Sequence, residues 1–67
     1  MQTVKATKIQ KGDALLSKNR HKRIGIVYLI EENESMVTVR YKTEKGDYAS
    51  ITIPKSTTVH IEREYHL

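Results

Sequence analysis

Three features of this sequence predict an all-β domain. Apolar and polar side chains alternate every two residues over most of its length, Gly- and Asn-centred turn signals separate the alternating runs, and no stretch of useful length carries a competing helical period. The alternating runs are short and number five, so the expected architecture is a five-stranded antiparallel meander. A sheet this small leaves its core half covered unless it curls, and closure also removes exposed edges. A five-stranded antiparallel small barrel is therefore the predicted fold.

Residues 1–10 are polar with scattered apolar positions (Val4, Ala6, Ile9), which fits a loose arm or a short edge strand. Lys11-Gly12-Asp13 is a turn signal, because Gly tolerates positive φ and Asp bonds to nearby backbone. Residues 14–17 make a short first strand, followed by the basic loop Lys18-Asn19-Arg20-His21-Lys22-Arg23. Residues 23–31 alternate Ile24, Ile26, Tyr28 and Ile30 against Gly25, Val27, Leu29 and Glu31, and the β-branched content predicts a strand with the first set inward. Glu32-Asn33-Glu34-Ser35 turns the chain. Residues 36–42 place Val37, Val39 and Tyr41 opposite Met36, Thr38, Arg40 and Lys42. Gly46 is the expected positive-φ position of the next turn, residues 43–47. Residues 48–53 set Ala49, Ile51 and Ile53 against Tyr48, Ser50 and Thr52, and Pro54 ends that strand because it cannot donate to a ladder. A single helical turn is expected at residues 54–57, then a last strand over 58–62 with Val59 and Ile61 inward. The barrel is thus assigned to residues 11–63 and a tail to 64–67.

A slip of one residue in register moves every side chain to the other face, so the two hairpins can be checked against each other. Pairing Ile30 with Val37, Tyr28 with Val39 and Ile26 with Tyr41 extends an apolar face. So does pairing Val37 with Ile53, Val39 with Ile51 and Tyr41 with Ala49. Tyr28 and Tyr41 are accordingly expected in the core, with their hydroxyls at its rim.

The order of these elements resembles that of SH3-like small barrels, and within them the KOW and Tudor-like modules of transcription and translation factors. The residues that carry the resemblance are Gly12-Asp13 before the first strand, Gly25-x-Val27 after the loop and Val37-x-Val39 in the third strand. The resemblance implies that Gly12-Asp13 opens the barrel and that Gly25 lets the second strand bend. In place of the glycines common in the KOW loop, this chain has a cluster of cations.

With 67 residues there is room for one domain and for no deep catalytic cleft. Cysteine is absent, which excludes disulfides and thiolate metal sites. No apolar run approaches the roughly twenty residues of a membrane span, so a soluble, cytoplasmic protein with no membrane association is expected. The net charge of +4 is unevenly spread. Residues 1–30 carry seven Lys/Arg against Asp13 alone, whereas residues 31–67 carry five against seven acids. A one-sided positive field concentrates polyanions and speeds their capture.

That field centres on Lys18, Arg20, His21, Lys22 and Arg23. Lys supplies point charges and Arg a planar fork suited to phosphate. Neutralising about four phosphates makes affinity fall about a hundredfold between about 50 and 200 mM salt. Such a cluster positions a nucleic-acid backbone and reads little sequence. The outward faces of the second hairpin add Arg40, Lys42 and Tyr48, with Lys42 opposite Tyr48 and Arg40 opposite Ser50. A Tyr flanked by cations can stack a base while the cations take its phosphates. The blander expectation for both groups is a solvated surface with ordinary cross-strand pairing.

The leading expectation is a DNA- or RNA-binding accessory factor in transcription or translation, a monomer or small homo-oligomer. The alternative is a module that docks on an acidic surface of a larger protein complex such as RNA polymerase or the ribosome. An outward Val27, Leu29 and Met36 would form its apolar patch, unless the bend of the strand buries them. His21, His60 and His66 lack acidic partners at metal-site spacing, and no Ser lies in a nucleophile elbow. No metal, no cofactor and no catalysis are therefore expected, although His21 or His60 is the residue a small ribonuclease would use as acid or base.

Overall fold

The computed structural model describes residues 1–63. The tail assigned to residues 64–67 lies outside the described residues. Among the described residues six strands form one antiparallel sheet: β1 (Gln2–Lys5), β2 (Ala14–Leu16), β3 (Arg23–Glu32), β4 (Met36–Lys42), β5 (Tyr48–Pro54) and β6 (Thr58–Glu62), in the order β1-β6-β2-β3-β4-β5. The count is six instead of five, and the sheet is not closed, because β1 and β5 remain its edges. Principal extents of 30 × 28 × 26 Å show that the sheet is strongly curled around its core. Among the described residues no helix is long and apolar enough to cross a membrane.

The added strand comes from the first ten residues. Val4 pairs with Val59 and Thr3 with His60, and a 3-10 turn at Ala6–Lys8 then drops Ala6 and Ile9 into the core. The Ala6 amide donates to the Thr57 carbonyl at 2.8 Å, which seats this segment against the end of the β5-β6 turn. Its apolar positions are too sparse to give a strand period. Burial of Ala6 and Ile9 explains why the segment is ordered all the same.

Buried Ala6, Ile9, Leu15, Val27, Val37, Val39, Tyr41 and Ile61 form the core, with Val4, Ile30, Ala49, Ile51, Ile53 and Val59 half-buried against it. The register of β4 with β5 is as expected, including Val37 with Ile53, Val39 with Ile51 and Tyr41 with Ala49. The β3-β4 hairpin differs. Ile30 faces Val39, Val27 faces Tyr41 and Ile26 faces Lys42, and the ladder shifts between Val27 and Leu29 so that Tyr28 has no partner on β4. This bulge switches the phase of the strand. Val27 is buried, whereas Ile24, Ile26 and Tyr28 are exposed, the reverse of the expected facing. Val27 is buried and Leu29 and Met36 are half-buried, so of the two expectations for these residues it is burial that the structure shows, and the outward patch does not form.

Gly25 accounts for the chosen phase. A Cβ on it would lie 2.6 Å from both the Lys42 carbonyl oxygen and Tyr41 Cδ2, so the ring of Tyr41 occupies the space a side chain would need. Inward placement of β3 at this point requires a glycine. Pro54 ends β5 as an edge residue opposite Met36, and the turn after it is closed by the Thr57 amide on the Pro54 carbonyl at 3.0 Å, where a helical turn was expected. Gly46 adopts φ +90° in the β4-β5 turn.

Candidate nucleic-acid interface

The basic loop is a closed turn. Ser17 holds both ends of it: its amide donates to the Lys22 carbonyl at 2.7 Å, its carbonyl accepts from the His21 amide at 3.0 Å, and its Oγ accepts from the Lys22 amide at 3.1 Å. His21 closes the turn in the left-handed region, φ +52°. Its ring meets that of His60 on β6 edge-on, with centroids 4.8 Å apart, and Thr3 Oγ1 lies 3.1 Å from His60 Nδ1. The loop is thereby laid down over β6. The side chains of Lys18, Arg20 and Lys22 are exposed and have no ion-pair or hydrogen-bond partner among the described residues. Arg23 is tied instead to Glu62 at 3.4 Å.

The second group gathers on the outer face of β3, β4 and β5. Lys42 stands opposite both Ile26 and Tyr48 in the ladder, and its Nζ lies 5.6 Å from the Tyr48 ring centroid. Tyr28, pushed outward by the bulge, meets Tyr48 at an interplanar angle of 87° with centroids 5.5 Å apart. The two rings, Arg40, Ala49 and Ser50 line a shallow depression of about 170 Å³. Arg40 is paired with Glu31 at 3.4 Å, an exposed contact of little energetic weight. Tyr48 is 68% exposed.

Every expected contact residue is at the surface, in two groups joined by β3. The five-residue step from Arg23 to Tyr28 spans about 17 Å of extended chain. Ile24 and Ile26, both exposed, lie between the two groups along β3. Residue pattern alone missed Tyr28, Ile24 and Ile26. Gly25 was the available signal, since a glycine in phase with Val27 marks close backbone approach on that face.

No protein-family model, curated protein or solved structure matches this chain.

One further constellation supports the site from below. Asp13 is fully buried, and it accepts from Arg63 Nε at 2.8 Å, from Arg63 Nη2 at 2.7 Å and from the Gln10 amide at 2.8 Å. Burial pushes its carboxyl up, but the hydrogen bonds from Arg63 and Gln10 and the charge of Arg63 outweigh that and hold it below the ordinary value of 3.8. The same turn is stitched to β3 by the Gly12 amide on the Val27 carbonyl and the Val27 amide on the Asp13 carbonyl, both 2.9 Å. Asp13 and Arg63 therefore fix the strand that carries the outer face. No group of three His, Asp or Glu side chains among the described residues is placed to hold a metal ion.

Proposed function

We propose that this protein binds nucleic acid through its phosphate backbone, using Lys18, Arg20 and Lys22 of the closed loop with Arg23, Arg40 and Lys42 beside it. The observation that carries this reading is the loop: Ser17 closes a defined turn bearing Lys18, Arg20 and Lys22, whose side chains have no partner among the described residues, in a protein whose positive charge is concentrated in its first half. A closed backbone turn loses less entropy on meeting a polyanion than a mobile tail would. An SH3-like scaffold of the KOW kind, extended at one edge by β1, is proposed together with this function. A role as an accessory factor in transcription or translation goes with that scaffold.

Titration of labelled DNA and RNA at two salt concentrations tests it. The four cations from Lys18 to Arg23 alone should make affinity fall about a hundredfold between about 50 and 200 mM salt. Changing Lys18, Arg20, Lys22 and Arg23 together to Ser should remove most of that salt dependence. Absence of binding at the lower salt concentration would falsify the reading.

The exposed Ile24 and Ile26 favour a second reading, docking on an acidic protein surface. Polyglutamate that competes as well as nucleic acid of equal charge would support it.

A further inference from the structure

We propose that the outer face selects single-stranded nucleic acid, with one base stacked on Tyr48 and the strand running along β3 toward Arg23. This rests on the nucleic-acid reading above and adds to it the form of the ligand. A base inside a duplex has both faces covered, and a protein reaches only its edges and the backbone. An exposed aromatic ring on a sheet has no use for such a ligand, whereas an unpaired base offers it a whole π-face.

The geometry suits one such base at one place. Among the described residues Tyr48 is the most exposed large hydrophobic side chain, yet its ring is braced by Tyr28 at near right angles and by Lys42 Nζ at 5.6 Å. A braced ring stacks without first having to be ordered. Lys42 also stands next to the phosphate that a base on Tyr48 would bring with it. From there Ile26 and Ile24 present apolar surface to sugar and base carbons, ending at Arg23 and the loop cations. The carboxylates on this path, Glu31 and Glu62, are already held by Arg40 and Arg23, which limits their repulsion of the backbone. A path of about 17 Å fits a footprint of about four nucleotides, the small end of the range known for stacking platforms. Sequence preference is expected to be weak, and RNA and DNA strands present the same stacking chemistry.

The test compares labelled oligomers of roughly ten nucleotides, oligo-U and oligo-dT against RNA and DNA hairpin duplexes of equal charge, by anisotropy. The single strands should bind at least about tenfold more tightly than the duplexes. Tyr48→Ala should weaken single-strand binding about 5- to 150-fold, and Tyr48→Phe should retain most of it. Duplex affinity and the salt dependence should change little in either variant. A circular dichroism spectrum matching the parent shows that the variants fold, as expected for an exposed site. Equal binding of duplex and single strand, or a silent Tyr48→Ala, overturns the proposal while leaving the backbone-binding function standing. Failure of every nucleic acid, with polyglutamate bound instead, overturns both.

Discussion

Arg63 closes on Asp13 from 50 residues away, its Nε and Nη2 each donating to a different carboxylate oxygen while Nη2 also reaches the Lys8 carbonyl at 3.2 Å. The two partners are not equally buried: the Asp13 side chain is 2% exposed and that of Arg63 21%. Their removal should therefore differ in cost. Arg63→Ala strands a buried carboxylate and should cost about 3–5 kcal/mol. Asp13→Ala leaves a guanidinium that can turn to water, and the cost should be roughly 1–3 kcal/mol. Urea unfolding monitored by circular dichroism measures both, and the reverse order would contradict this account.

The same pair sets an acid limit. Because the folded-state pKa of Asp13 lies below the ordinary 3.8, the pair's contribution is fully present above about pH 4 and is lost as pH falls through the lowered value. Stability should fall with acidification in that window, and Asp13→Asn should flatten the slope. An unchanged slope would place the acid sensitivity elsewhere.

Gly25→Ala should destabilise by about 1–3 kcal/mol, since the added methyl meets the Lys42 carbonyl, which cannot yield as a side-chain end could. Thermal or urea unfolding reads this directly. A neutral result would mean that β3 can move off β4 without cost.

Ile9→Ala should cost about 2–5 kcal/mol, the penalty of a core truncation, because Ile9 is 5% exposed. A loss under about 0.5 kcal/mol, ordinary for surface sites, would show that the first ten residues merely lie on the sheet.

Within the loop, Lys18→Ser, Arg20→Ser and Lys22→Ser should each lower the slope of log affinity against log salt by about 0.7–0.9. Arg23→Ser should lower it further, because it also frees Glu62 beside the path. Equal slopes in parent and variants would exclude these cations from the contact.

Much of this architecture was legible in the residues. The bounds of β4 and β6, the β4-β5 register and the turn at Gly46 follow from clean alternation and turn chemistry. The facing of β3 was not legible, because residues 24–30 are apolar on both faces apart from Gly25, and periodicity cannot choose between two apolar faces. The edge strand β1 was left open because its burial depends on Ala6 and Ile9 reaching the core through a turn of three residues. Asp13 with Arg63 could not be read at all, since nothing local links an arginine to a partner at such separation. Of the candidate site, the cations and Tyr48 were legible. Tyr28 was not, because its exposure comes from a shift in the ladder.

That shift leaves Tyr28, alone between Ile26 and Glu32, without a counterpart on β4. Deleting it joins Val27 directly to Leu29 with the ladder on either side already in step. The chain can therefore lose this ring by a single-codon deletion while every inward residue keeps its place. Evolution can add or withdraw the aromatic pair without renegotiating the scaffold, and an engineer can do the same.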